Sequence, residues 1–188
     1  EFYTYAAFSN ALKLNKTDTA VEIARDYKIK FPDGDYITDV SIAEITLFKQ
    51  AERYDDFLMR LEEFLTTYYL NPAAQKLFAE WAGFLMERGR YEELVEKSET
   101  WMNLYSNAVY LDGTHYWSGL AELQLGDYAK TVTAMDTVLT RYAKGPYAED
   151  ALLRKGIALF YSQQYEQSGK VLRQYIKQYP NGAAIDQT

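Results

Sequence analysis

Cysteine is absent from the chain, which excludes disulfides, thiolate nucleophiles, zinc ribbons and iron–sulfur clusters together. There is one histidine, which rules out multi-histidine metal sites and makes most hydrolase triads implausible. Only four prolines and ten glycines punctuate 188 residues, and so few breakers point to long helices. No apolar run approaches the ~18 residues of a membrane-spanning helix, so direct membrane insertion is not expected. Basic residues number 20 against 27 acidic, a net charge of −7. That balance lacks the phosphate-neutralising charge on which nucleic-acid affinity depends, and nucleic acid is not an expected partner. The chain does have 48% hydrophobic residues, 25% charged residues and 18 tyrosines, a globular composition for one domain or one short repeat array.

No signal peptide is visible. The chain opens on Glu1-Phe2-Tyr3-Thr4-Tyr5 rather than on Met, and these residues already read as helix. The expectation is a processed chain or an excised fragment, with Glu1-Phe2 open to being a cloning remnant and any targeting segment outside these residues.

Internal repetition decides the fold. Tyr54, Tyr91, Tyr128 and Tyr165 recur every 37 residues. Phe31, Tyr68, Tyr105, Tyr142 and Tyr179 keep the same period, as do Tyr27, Phe64, Trp101, Val138 and Tyr175. The stretch Tyr27-Lys28-Ile29-Lys30-Phe31-Pro32-Asp33-Gly34 returns as Tyr175-Ile176-Lys177-Gln178-Tyr179-Pro180-Asn181-Gly182, four periods later. Five units cover residues 1–37, 38–74, 75–111, 112–148 and 149–185 of a single domain, 1–188.

Within each unit the apolar spacing is helical, as in Leu152, Gly156, Leu159 and Phe160, then Val171, Leu172, Tyr175, Ile176 and Tyr179. First helices are predicted near 1–14, 36–51, 73–88, 112–125 and 147–162. Second helices are predicted near 17–31, 54–69, 91–106, 128–142 and 165–179. Gly89 and Gly126 suit left-handed residues that end a helix. Pro72 and Pro146 suit helix starts, and Pro32 and Pro180 suit positions just past a helix.

A helical-hairpin repeat of this length resembles the tetratricopeptide repeat (TPR). The resemblance rests on Tyr116-Trp117-Ser118-Gly119, Gly126-Asp127-Tyr128 and Arg141-Tyr142, then on Ala148 to Gly156, Tyr165 and Tyr179-Pro180-Asn181-Gly182. The family's small residue in the first helix is matched by Ala82, Gly119 and Gly156, and its partner in the second helix by Ala20, Thr131 and Ser168. Phe8, Ile45, Phe57 and Leu94 depart from that pattern. The unit length and the Tyr-Pro-Asn-Gly ending are similar to a TPR subclass of bacterial envelope proteins. Examples are the TolA-binding protein and the TPR lipoprotein of the outer-membrane barrel-assembly machine. The closer resemblance spans 112–182.

The resemblance implies an all-α, right-handed α-solenoid of about five hairpins, with the first helices lining a concave face. It implies a non-enzymatic protein- or peptide-binding adaptor in the bacterial periplasm or envelope. A self-assembling scaffold, and a recruitment segment of a larger protein, remain as alternatives. Register places three columns inward: Tyr5, Ile42, Ala79, Tyr116, Leu153; Leu12, Lys49, Met86, Leu123, Phe160; and Lys13, Gln50, Glu87, Gln124, Tyr161. Tyr5, Lys49, Met86, Tyr116, Gln124, Leu153, Phe160 and Tyr161 are the candidate partner-binding residues. The aromatic and aliphatic ones suit a peptide with apolar anchors.

Nothing in the chain converges as a catalytic constellation, and no catalytic residue, metal or cofactor is expected. His115 reads as a surface or groove residue. The acidic pairs Asp55-Asp56, Glu92-Glu93 and Glu149-Asp150 read as helix starts facing the positive end of the helix dipole. The last helix carries Val171, Leu172, Tyr175, Ile176 and Tyr179, an apolar stripe at the end of the array. Either a further segment of a longer protein is expected to cover it, or two copies are expected to meet there as a homodimer.

Overall fold

The computed structural model describes residues 1–182. Residues 183–185, assigned to the fifth repeat from sequence, lie outside the described residues. Ten helices and no strand form among the described residues. They are α1 (Phe2–Lys13), α2 (Thr17–Lys30), α3 (Ile37–Gln50), α4 (Tyr54–Thr67), α5 (Ala73–Glu87), α6 (Tyr91–Leu104), α7 (Leu111–Leu125), α8 (Tyr128–Arg141), α9 (Ala148–Tyr161) and α10 (Tyr165–Gln178). Every one falls within two residues of its expected bounds, because the repeat fixes register where single boundaries would be ambiguous.

The chain divides into two compact units, Glu1–Tyr69 with α1 to α4 and Leu70–Thr188 with α5 to α10. In the first, each helix packs on the next in sequence. In the second, each helix again packs on the next, and α7 also packs on the neighbouring first helices α5 and α9.

The hairpin turn is one device used five times. Asn15, Glu52, Gly89, Gly126 and Gln163 occupy one column, and all have positive φ, from 53° at Asn15 to 80° at Gly126. The following residue donates its amide to the carbonyl five residues back: Lys16 to Ala11, Arg53 to Phe48, Arg90 to Leu85, Asp127 to Glu122 and Gln164 to Leu159, each at 2.9–3.0 Å. This is the Schellman closure of a helix C-terminus. Glycine fills it at 89 and 126 as expected, and Asn, Glu and Gln hold the same conformation elsewhere.

The aromatic columns are packing. Tyr27, Phe64, Trp101, Val138 and Tyr175 are all buried. Phe31, Tyr68 and Tyr179 lie against them, with ring centroids 5.3, 5.0 and 5.7 Å from Tyr27, Phe64 and Tyr175. The small residues bring helices together. A Cβ on Gly156 would stand 2.5 Å from Leu172 Cδ2, and one on Gly119 would stand 2.7 Å from Met135 Cε. Ser168 Oγ donates to the Gly156 carbonyl at 2.8 Å across the same contact. Where the first unit departs from the small-residue pattern, Phe8 packs in one buried cluster with Ala20, a large side chain beside a small one.

The Gly34 and Gly182 positions share a closure. Tyr27 donates its hydroxyl to Glu1 Oε1 at 2.7 Å, and Tyr175 donates to Glu149 Oε1 at 3.4 Å. A Cβ on Gly34 or Gly182 would come within 2.8 Å of both the tyrosine and the carboxylate in each case.

Candidate functional site

In the first compact unit, Tyr5 is half-buried, with its ring stacked 4.1 Å from Tyr36. Lys49 is exposed and holds its ammonium 5.7 Å from the Phe57 ring centroid.

In the second unit, Gln124 is exposed, and Met86 and Leu153 are half-buried. Tyr116 corrects the sequence reading, being only 8% exposed. Its ring stacks on Tyr147 at 4.6 Å, and its hydroxyl donates to Asp150 Oδ2 at 2.6 Å. Burial, with the carboxylate beside it, pushes its phenol well above the ordinary tyrosine range. Tyr116 therefore joins α7 to α9 rather than anchoring a ligand.

Phe160 and Tyr161 stand 54% and 58% exposed at the end of α9. The structure adds two rings to them. Tyr165, at the start of α10, meets Phe160 edge-on at 5.5 Å, and Tyr128 stacks on Tyr161 at 5.6 Å. The periodic tyrosine column that revealed the repeat thus supplies part of the exposed cluster. The sequence signal was present but read only as periodicity.

At α10 the apolar stripe is mostly turned inward. Tyr175 is buried, and Leu172 lies over Gly156. Val171, Leu172 and Tyr179 are half-buried, leaving Ile176 as the strongly exposed member. The expectation that all five present a bare face is corrected. The close helix approach allowed by Gly156 draws Leu172 into α9, and the hydroxyl bond to Glu149 draws in Tyr175.

Sequence reading missed a groove between α6 and α8, floored by α7. Two adjoining hollows of about 350 and 420 Å³ share Glu99, Met102 and His115. His115 lies on the floor as a groove residue, 6.0 Å from the Tyr142 ring, and burial lowers its pKa, helped by Arg141. One turn on is Ser118, and another turn on is Glu122, only 6% exposed. Glu122 Oε2 is buried without a hydrogen-bond partner. Burial pushes its carboxyl up to about 7, Asp127 and Glu99 add to the rise, and Lys130 opposes it. The missed signal was columnar. Ala11, Phe48, Leu85 and Leu159 hold the matching place in the other repeats, and all four are buried and apolar.

Among the described residues, no helix is long and apolar enough to cross a membrane. No group of three or more acidic, histidine or cysteine side chains among them converges as a metal site.

The family profile of YfiO, an outer membrane lipoprotein, matches residues 110–188. No curated protein matches the chain. Solved structures do. A tetratricopeptide repeat protein from Parabacteroides merdae superposes with a TM-score of 0.64 at 16% identity, over 95% of this chain and 66% of that one. This chain therefore spans just under two thirds of that relative. The MamA protein superposes with a TM-score of 0.64 at 11% identity, over 100% of this chain and 96% of MamA. A second MamA structure, from AMB-1, gives 0.60 at 14% identity, over 97% and 92%. At these identities the likeness establishes the fold. The profile match begins at Tyr110, almost where the closer repeat resemblance begins. The chain has the all-α fold of the tetratricopeptide-repeat proteins, and its C-terminal residues 110–188 match the YfiO outer membrane lipoprotein family.

Proposed function

We propose that the chain is a non-enzymatic adaptor that binds a protein or peptide in a bacterial cell-envelope complex, on the periplasmic side. The observation that carries this reading is the cluster of Phe160, Tyr161 and Tyr165. All three rings are more than half exposed and held against one another at the α9–α10 turn. Large rings in water, fixed in position before any partner arrives, are the chemistry of interface anchors. The match of residues 110–188 to an outer membrane lipoprotein family supports the envelope setting. The partner is a segment with apolar anchors, because the exposed first-helix positions around the cluster offer no group of basic residues for a carboxylate.

Peptide display against the whole chain should select sequences with aromatic or aliphatic anchors. Phe160→Ala with Tyr161→Ala should weaken the selected peptides by roughly 2–4 kcal/mol, about 30- to 1000-fold. Unchanged affinity would show that the cluster does not bind them. The native protein should fractionate with the envelope of its own bacterium, and recovery in the cytoplasmic fraction would remove that part of the reading. A scaffold that self-associates through α10 is the second reading, favoured by the exposure of Ile176, at 56%, beside half-buried Leu172 and Tyr179. Sedimentation equilibrium of the wild type and of Ile176→Glu decides it, since only self-association would be concentration-dependent and lost in the variant.

A further inference from the structure

The groove between α6 and α8 has an internal comparison in the next repeat. Ser118 on α7 and Lys155 on α9 occupy one column, and Glu99 on α6 and Asp136 on α8 occupy another. In the later repeat, Lys155 Nζ reaches Asp136 Oδ1 at 2.6 Å. In the earlier one, the lysine is replaced by Ser118, 4% exposed and far too short to reach out. Glu99 is left exposed at the groove wall. One turn beyond Ser118, Glu122 adds a second carboxyl, 6% exposed, whose Oε2 has no hydrogen-bond partner. The hollow therefore lies where the next repeat places a lysine, and it holds one more acid than that filled version.

We propose that this groove binds a lysine side chain presented by a partner polypeptide, with Glu122 at its floor and Glu99 at its wall as the counter-charges. A buried carboxyl without a partner is costly in its charged form, and a desolvated ammonium that hydrogen-bonds to it removes that cost. The groove is long enough for an extended segment. His115 and Glu122 are seven residues apart on α7, about 10 Å along the axis, or about three residues of extended chain. Met102 and Ala134 offer apolar wall for the lysine methylenes. This site shares only α8 with the aromatic cluster and none of its residues, and it stands or falls independently of the adaptor reading.

The proposal has a pH signature. The charged groups facing Glu122 are Glu99 from α6, His115 on α7, Asp127 at the cap and Lys130 from α8. With Glu122 titrating near 7, its ionised fraction rises from about a tenth at pH 6 to about nine-tenths at pH 8. Lysine affinity should rise up to about tenfold over that range. His115 losing a proton acts in the same direction, so it needs its own control.

The test is a heteronuclear NMR titration of the whole labelled chain with a blocked Ala-Ala-Lys-Ala peptide, against the same peptide with norleucine in place of lysine. The expected result is a set of lysine-dependent shifts centred on Glu99, Ser118, Glu122 and Lys130, absent with norleucine. Glu122→Gln should lose most of the affinity and all of the pH dependence, while His115→Asn keeps the rise with pH. Ser118→Lys, which restores the side chain of the later repeat, should close the groove to the peptide. Shifts spread evenly over the acidic surface would overturn the proposal. So would equal binding by wild type, Glu122→Gln and Ser118→Lys, with the folding of each variant checked by its amide spectrum.

Discussion

Gly156→Ala tests whether the small-residue contact positions α9 against α10. The added Cβ would stand 2.5 Å from Leu172 Cδ2 and 2.8 Å from Cγ, about 1 Å inside ordinary carbon contact. Two responses are open. Leu172 can leave its rotamer, at about 0.5–1.5 kcal/mol. Alternatively the helices part, stretching the 2.8 Å bond from Ser168 Oγ to the Gly156 carbonyl, which contributes about 1 kcal/mol. Overpacking of this kind costs about 1–3 kcal/mol in total. Alanine recovers about 1 kcal/mol of helix propensity. The net expectation is a loss of about 0–2 kcal/mol. Gly83 on α5 is the internal control, because a Cβ there meets only Trp117 Cη2 at 4.0 Å. Gly83→Ala should gain about 0.5–1 kcal/mol from propensity alone. Urea unfolding followed by far-ultraviolet circular dichroism reads both. Adding Leu172→Ala to Gly156→Ala should cost less than Leu172→Ala costs the wild type, a coupling of about 1 kcal/mol. A Gly156→Ala protein as stable as Gly83→Ala would refute the close-approach argument.

The turn column gives a paired test: Gly126→Ala should lose about 1 kcal/mol, while Gln163→Gly, in the same conformation, should gain a few tenths, both read from urea midpoints. Glu44 is 1% exposed, takes a hydrogen bond from Lys28 at 2.6 Å and has Arg60 Nε 3.7 Å from the same oxygen, so Lys28→Ala leaves the buried carboxylate only the longer Arg60 contact and should cost about 2–3 kcal/mol in the same assay. Glu122 favours folding below its unfolded pKa, and that contribution is lost as pH rises through its folded value of about 7. Allowing for water at the open groove, wild type should lose about 1–2 kcal/mol relative to Glu122→Gln between pH 4.5 and pH 8, and parallel stability–pH curves would contradict this.

Helix limits were legible because five copies of one pattern average out local ambiguity. The turns were legible at Gly89 and Gly126, and Asn15 carries a weaker preference of the same kind, but Glu52 and Gln163 carry no propensity signal for positive φ and only their column reveals them. The exposed pair Phe160 and Tyr161 was legible from register. Tyr116 was not, since register gives the face of a helix and not what lies on it. Tyr147, from the loop before α9, covers it. Glu122 was overlooked because acidic residues were read as adjacent pairs along the chain, and its meaning lies in the apolar residues that replace it one repeat away.

The tyrosine–carboxylate–glycine closure has a bearing on how such a chain can change. In the first and last repeats, and through Gly145 beside Asp112 in the fourth, a glycine after the second helix abuts the acid that opens the first. Thirty-three residues always separate the two, as from Glu1 to Gly34. The closure works as a length gauge: an insertion anywhere inside that span would move the glycine off its carboxylate. The few residues between one glycine and the next opening acid, such as 146–148, lie outside the gauge. Lineages of this chain should therefore vary in length there first, while the span within each repeat keeps its count.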